Sequence, residues 1–176
     1  MSSPTVKNIK FHFQVSKSIN LRKRIEEYQD LLNVKFNGNL IVLREKDGVF
    51  IIFYTCGHVN VTGIKKFCNI PKAIKTFCLL LNIHKSLLTK AATIDNICLS
   101  GKFSKNIVLK TLGERLKLTN IRFQYNRDFF PGAFCRIPEL GTITVFSSGS
   151  YVIVGAKCLM SAENIFSQMN AVILLL

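Results

Sequence analysis

The chain has few of the residues that enzymes and metal sites require. Its 176 residues include three histidines and ten acidic residues, and none forms a nucleophile–base pair or a spacing typical of metal ligands. The phosphate-binding motif GxxxxGKS or GxxxxGKT is missing. The six cysteines include no CxxC pair and no close Cys/His cluster, which argues against zinc. We therefore expect no enzymatic activity, no metal and no cofactor.

The sequence contains no long hydrophobic run, and we expect no secretion signal. Its first residues, MSSPTVKN, contain no apolar core, and its last residues, AVILLL, are too few to cross a bilayer. We expect AVILLL to be the buried end of a helix. We also expect the cysteines to be reduced and mostly buried, as in intracellular proteins.

Acidic residues are outnumbered by 24 basic ones, which gives a formal net charge of +14. Residues 1–88 hold 14 basic and 5 acidic side chains, and residues 89–176 hold 10 and 5. Charge spread along the whole chain favours a polyanionic partner, nucleic acid first and an anionic membrane surface second. A basic composition that follows from an A·T-rich genome is an alternative explanation.

The sequence repeats itself with a period near 90 residues. Segments 36–65 and 125–157 share the same plan of strands and turns, and their matching glycines and lysines lie 92 residues apart. This period is too long for a solenoid unit of about 20 to 50 residues. It predicts a tandem duplication of a small α+β unit, with repeats at 1–88 and 89–176.

Apolar periodicity predicts the order β-α-β-β-β-β-α in each repeat, with Ser18 or Asn20 capping a first helix that runs to about Leu32. The linker is short, so both repeats should share one antiparallel sheet with helices on one face and the other face open. Strand alternation places the following residues on the open face: Ile52, Tyr54, Asn60, Thr62, Thr144, Phe146, Val152 and Val154. A core completed by another chain, or an oligomer interface, is an alternative use of that face.

Five segments carry a resemblance to a known family. The strongest are FFPGAFCRI and VFSSGSYVIVGAK, followed by KNIK, DNIC and CGHVNVTGIKK. In this order, and over nearly the whole chain, they resemble the core domain of the TATA-box-binding proteins. The resemblance implies a saddle of two pseudo-symmetric repeats, with a continuous curved antiparallel sheet and helices on its convex face. It also implies a transcription initiation factor that binds the minor groove of A·T-rich promoter DNA and kinks it.

The resemblance assigns aromatic wedges that enter the base stack at each end of the site. In the second repeat these would be Phe130 and Phe146. In the first repeat they would be Phe36 and Tyr54, with Phe53 in place of Tyr54 if the alignment contains a one-residue gap. Any flat apolar side chain suits this role, because the wedge only has to replace the stacking that the kink removes.

The resemblance also assigns the floor of the groove. Asn8 and Asn96 would hydrogen-bond to base acceptors. The other positions implied to contact bases or phosphates are Asn60, Thr62, Lys65, Cys98, Arg136, Val152, Val154 and Lys157. The first repeat departs from the family pattern toward polar residues, at Lys10, His58 and Asn60.

The family's protein contacts complete the prediction. Asn126 and Asp128 stand where the family has two glutamates that contact general transcription factor B. That factor, other initiation factors and the RNA polymerase machinery are the implied protein partners, besides double-stranded DNA. A homodimer that hides the open face is expected when DNA is absent, and no membrane partner is expected.

An interaction scaffold within a transcription complex, with weak or no specific DNA binding, is the alternative function. The short, diverged chain resembles a viral or early-branching eukaryotic version of the family. That source implies a location in the nucleus, or in a cytoplasmic viral factory.

Overall fold

The computed structural model describes residues 4–16, 20, 23, 34–37, 40–44 and 48–176. In chain order its elements are β1 (Thr5–Val15), β2 (Val34–Asn37), β3 (Leu40–Arg44), β4 (Phe50–Tyr54), β5 (His58–Ile64), α1 (Ile70–Leu80), β6 (Leu88–Lys102), α2 (Leu109–Leu116), β7 (Arg122–Gln124), β8 (Gly132–Ile137), β9 (Gly141–Phe146), β10 (Ser150–Ala156) and α3 (Leu159–Leu174). Short 3₁₀ turns, Phe67–Asn69 and Lys85–Leu87, precede α1 and β6. No helix in these ranges is both long and apolar enough to cross a membrane.

The second half of the chain confirms the predicted order, since β6, α2, the four strands β7 to β10 and α3 follow one another. The first half matches it in the four strands β2 to β5 and in α1. The helix predicted to end at about Leu32 lies outside the described residues except at its start. There Lys23 N–H donates to Asn20 Oδ1 over 3.0 Å, which is the hydrogen bond of a helix N-cap.

The strands are hydrogen-bonded in the order β2-β3-β4-β5-β1-β6-β10-β9-β8-β7. This sheet and its helices confirm the predicted α+β class. The chain forms two compact units: an N-terminal unit, Asn8–Asp95, and a C-terminal unit, Asn96–Leu176 with Met1–Lys7. A repeat boundary between residues 88 and 89 stays a prediction.

Aromatic side chains attach α1 to the sheet of the N-terminal unit. The ring of Phe77 meets Phe13 and Phe53 edge to face, with centroids 5.2 and 5.6 Å apart, and all three side chains are buried. Pro71 lies in the first turn of α1, where a missing N–H costs nothing. This helix covers one face of its sheet, since buried and exposed residues alternate along β1, β4 and β5.

In the C-terminal unit the covered face is built around Tyr151. Its ring lies 4.6 Å from that of Phe103 and 5.5 Å from that of Phe166 on α3, centroid to centroid. Strand β8 alternates in the same way, with Ala133, Cys135 and Ile137 buried and the residues between them exposed. Helices therefore lie on one face of the sheet in each unit.

The expectation that AVILLL forms a buried helix end is wrong. Only Ile173 of these six residues is buried, whereas Leu174 and Leu175 expose 60% and 70% of their surface. The inward stripe of α3 consists of Ala162, Ile165, Met169 and Ile173. The leucines that follow it belong to the outer side of the last turn.

The cysteines are only partly as expected. All six are free, but Cys56, Cys68 and Cys158 are exposed, Cys98 is half-buried, and only Cys78 and Cys135 are buried. The exposed cysteines lie in a hairpin turn, in a 3₁₀ turn and at the start of α3. In these places the chain leaves the core, so the expectation of mostly buried cysteines is wrong.

Candidate nucleic-acid interface

In each unit, we call the side of the sheet that faces away from the described helices the open face. The open faces contain most of the predicted site residues. In the N-terminal unit the open face consists of Asn8, Lys10, His12, Ile52, Tyr54, His58, Asn60 and Thr62. In the C-terminal unit it consists of Asn96, Cys98, Ser100, Phe134, Arg136, Thr142, Thr144, Phe146, Val152 and Val154. No helix within the described part of the same unit covers these positions. They alternate with buried residues along their strands, except that Thr144, predicted on the open face, is itself buried at 9% exposure.

Two asparagines hold equivalent places at a break in the strand register. Gly63 N–H donates to Asn8 Oδ1 over 2.7 Å, and Gly155 N–H donates to Asn96 Oδ1 over 2.6 Å. Both glycines have positive φ, +96° and +89°, and each lies where the pairing of its strand shifts. A bulge leaves a backbone N–H without a ladder partner, and the side-chain oxygen accepts it. Because the donor fixes which atom is oxygen, each carboxamide has a defined orientation.

The two carboxamides differ in how many of their N–H groups remain free to bind a ligand. Asn8 Nδ2 donates to Thr62 Oγ1 over 3.0 Å. The position equivalent to Thr62 in the C-terminal unit is Val154, which cannot accept a hydrogen bond. Asn96 Nδ2 therefore has no partner among the described residues, and both of its N–H groups are available to a ligand.

Three phenylalanines form a cluster at one end of the C-terminal open face. The ring of Phe130 stacks on Phe134, with centroids 5.0 Å apart, and lies 5.8 Å from Phe146. A Cβ atom on Gly132 would come within 2.9 Å of the Phe130 and Phe146 rings, so only glycine lets the rings approach. Phe129 takes no part in the cluster and is 87% exposed.

Phe134 was missed by sequence reasoning, although it is 40% exposed on the open face. The signal was present, because Phe134 lies two residues before Arg136 and residues two apart in a strand share a face.

In the N-terminal unit the structure distinguishes the two aromatic candidates in β4. Phe53 is buried against α1, whereas Tyr54 lies on the open face with its ring 6.0 Å from that of His58. Phe36 lies in β2 opposite Ile41, which itself lies opposite Phe53, and its side chain is outside the described part of the structure. A wedge pair of Phe36 and Tyr54 therefore stays a prediction.

The arginines and lysines around the open faces have no acidic partner in the described part of the chain. Arg136 lies directly opposite Arg122, and both are exposed, as are Lys65 and Lys157 just beyond β5 and β10. Among the described residues the one ion pair joins His12 to Asp95. The arginines and lysines are therefore free to bind an external anion.

The loop that holds Asn126 and Asp128 has a defined turn. Asp128 N–H donates to Asn126 Oδ1 over 3.0 Å, and the carbonyl of Asn126 accepts from Phe130 N–H, also over 3.0 Å. Both residues are exposed. This turn displays the Asp128 carboxylate on the surface immediately before the aromatic cluster.

Two cysteines near the site differ in their chemistry. Burial raises the pKa of the Cys98 thiol on the open face. The hydrogen bond with the Ser161 hydroxyl, and then the one accepted from Ser161 N–H, lowers the pKa of the Cys158 thiol at the start of α3. Within the described ranges no group of three or more histidine, cysteine or acidic side chains could hold a metal ion.

Both the sequence and the structure are similar to known proteins. A family model described as transcription factor TFIID, or TATA-binding protein, matches residues 91–175. The chain is 31% identical to TATA-box-binding protein 3 of Methanosarcina mazei over 168 residues, which cover 89% of this chain and 87% of that protein. It is 30% identical to the TATA-box-binding protein of Thermococcus celer over 112 residues, which cover 62% and 57%.

A solved structure gives independent evidence for the fold. The chain called Methanococcus jannaschii TBP superimposes with a TM-score of 0.79 at 20% sequence identity, covering 99% of this chain and 100% of that one. This likeness confirms the fold class predicted from the repeated segments.

Proposed function

Because the chain belongs to the TATA-box-binding protein family, we propose that it is a transcription initiation factor that binds and bends A·T-rich promoter DNA through the minor groove. The observation that carries this proposal is that, within each unit, most of the residues that the family resemblance assigns to DNA lie on the open face. A minor groove presents few hydrogen-bonding groups that distinguish base pairs. An apolar face with free amide donors, surrounded by basic residues without acidic partners, is suited to bind such a groove.

The C-terminal open face supports the proposal in most detail. Minor-groove edges of A·T pairs offer only the acceptors adenine N3 and thymine O2. The free N–H groups of Asn96 suit these acceptors, and Val152 and Val154 suit the apolar surface between them. Phe130 and Phe146 would enter the base stack, the role that the family gives to these positions. Arg136 and Lys157 would bind phosphates.

The N-terminal open face would contact DNA through Asn8, Tyr54, Asn60, Thr62 and Lys65. The loop with Asn126 and Asp128 would contact a factor of the general transcription factor B type, and other surfaces would contact further initiation factors and RNA polymerase. Since binding is the whole activity proposed, no enzymatic step and no cofactor is part of it. A viral or early eukaryotic source and a location in the nucleus or a viral factory belong to the same proposal.

A second candidate function, an interaction scaffold with weak DNA binding, is favoured by apolar side chains on the helical side. Leu118 is 85% exposed just after α2, and Met160 is 76% exposed in the first turn of α3. Large apolar side chains that are exposed on the surface are common in protein-binding sites.

A titration on a bend-reporting duplex discriminates the two functions. We expect tight binding to a duplex with a TATA-type site and weak binding to a G·C-rich duplex of equal length. The logarithm of affinity should fall linearly with the logarithm of salt concentration, with a slope of about −0.9 for each phosphate contact. Low affinity for both duplexes at all physiological salt concentrations would favour the scaffold.

Thiol alkylation tests which face the DNA covers. Cys158 should react first with iodoacetamide, because its lowered pKa gives more thiolate at neutral pH, whereas Cys98 should react slowly. Saturating promoter DNA should slow the reaction of Cys98 several-fold further and leave Cys158 unchanged, as measured by mass spectrometry of the peptides. Equal protection of both thiols, or of neither, would contradict docking through the open face.

A further inference from the structure

The two open faces differ in one row of side chains that run across neighbouring strands. In the N-terminal unit Asn60 lies directly opposite His12 on β1 and Ile52 on β4. In the C-terminal unit the same row has Val152 opposite Ser100 and Thr144. Asn60 and Val152 are 92 residues apart and occupy the same place in the two repeats. A hydrogen-bonding side chain in one unit thus corresponds to an apolar one in the other.

The row in the N-terminal unit presents one carboxamide, that of Asn60, without a partner among the described residues. Asn60 is half-buried, and its carboxamide makes no hydrogen bond with any described residue. His12 Nδ1 lies 2.7 Å from Asp95 Oδ1. This contact engages one ring nitrogen of His12, whereas Asn60 Oδ1 and Nδ2 both remain available to a ligand.

Base pairs differ in the minor groove by a single donor. A·T pairs present only acceptors, and a G·C pair adds the N2 amino group of guanine. A valine at the groove floor leaves that amino group desolvated and unpaired, which penalises G·C. An asparagine satisfies either pair, because its N–H groups donate to A·T acceptors and its oxygen accepts from guanine.

We propose that the N-terminal open face accommodates a G·C pair in the half-site it contacts, with Asn60 Oδ1 accepting from the guanine N2 amino group, whereas the C-terminal open face requires A·T. This inference rests on the proposed function and deepens it by naming the sequence class of each half-site. The unlike half-sites give the protein one preferred direction on an otherwise symmetric A·T-rich element.

Three duplexes test the proposal. The first has A·T pairs in both half-sites. The second is a series in which a single G·C pair occupies each position of one half-site in turn. The third is a series with the same change in both half-sites. The wild-type protein can place its N-terminal unit over whichever half is altered. We expect the second duplex to bind within about threefold of the first at its best position, and the third about tenfold or more weaker.

Two variants with opposite changes complete the test. Asn60→Val should weaken binding to the one-half G·C duplex about tenfold more than it weakens binding to the A·T duplex. Val152→Asn should strengthen binding to the duplex altered in both halves by about tenfold. Valine is favourable in strands, and thermal melting of each variant reports whether the fold is kept.

The outcomes separate the two hypotheses. If the wild-type protein binds the A·T duplex but rejects one and two altered halves equally, or if Asn60→Val changes the affinity for the A·T and one-half G·C duplexes by the same factor, the half-site inference is overturned and the proposed function stands. If the wild-type protein fails to bind even the A·T duplex, the proposed function is overturned, and the inference that rests on it is overturned as well.

Discussion

Replacement of both Phe130 and Phe146 by alanine is expected to abolish DNA bending and to weaken binding to an A·T-rich duplex roughly 100-fold. The wedge role comes from the family, and the geometry comes from this chain, where the two rings lie 5.8 Å apart on the open face. An aromatic ring that stacks on an exposed base contributes about 1–3 kcal/mol, so the loss of two rings costs about 3 kcal/mol or more. Without this contribution the unstacking of a base step is not offset, and the kink is lost.

Fluorescence energy transfer across an end-labelled duplex measures binding and bending together. Phe129→Ala is the matched control, because Phe129 is adjacent in sequence, 87% exposed and absent from the ring cluster. It should bind and bend DNA within a few-fold of the wild-type protein. Phe130 and Phe146 are both partly exposed in the wild-type protein. The melting temperature of the double variant should therefore change little. A double variant that still bends DNA fully would refute the wedge role of these rings.

Asn96→Asp, which replaces one amide NH₂ group by an oxygen, is expected to weaken DNA binding more than any other single substitution of this size. The carboxylate can still accept from Gly155 N–H, so the bulge is kept. Two free N–H donors are replaced by an oxygen that bears negative charge and faces base acceptors and phosphates. Unpaired acceptors and the added repulsion should together cost about 3 kcal/mol, roughly 100-fold in affinity for the A·T duplex.

Asn8→Asp provides the comparison, because it introduces the same charge at the equivalent position. One donor of Asn8 is already bound to Thr62, so fewer donors to DNA are lost and the loss of affinity should be several-fold smaller. Binding titrations of both variants at the same salt concentration measure the difference. If the two variants lose equal affinity, the effect is one of charge alone, and the free amide of Asn96 does not contact bases.

The sequence predicts those parts of the site that depend on periodicity. The repeat spacing of 92 residues pairs Tyr54 with Phe146 and Thr62 with Val154, and strand alternation puts all four on the open faces. The choice of Tyr54 over Phe53 follows from the same alternation, and the burial of Phe53 agrees with it.

Other parts of the site depend on contacts that no pattern in one sequence reports. The closure of Asn8 on Thr62 requires the register shift at Gly63, which sets the distance between two strands 54 residues apart in the chain. The stacking of Phe134 on Phe130 requires a loop to fold back over β8. The exposure of Leu175 is decided by where α3 ends relative to the sheet, and helix ends are poorly defined by periodicity.

The bulge glycines affect which positions of such a protein can be substituted during evolution. Gly63 and Gly155 keep the same positive φ and the same asparagine contact, although the groove-floor residues beside them differ, as Asn60 and Val152 do. The strained backbone cannot accept a Cβ at Gly63, since the added atom would collide with the carbonyl oxygen of Gly48. Side chains on the strands are under no such restriction. After a gene duplication, one copy can therefore acquire a new preference for DNA one residue at a time, while the inherited backbone keeps both copies folded.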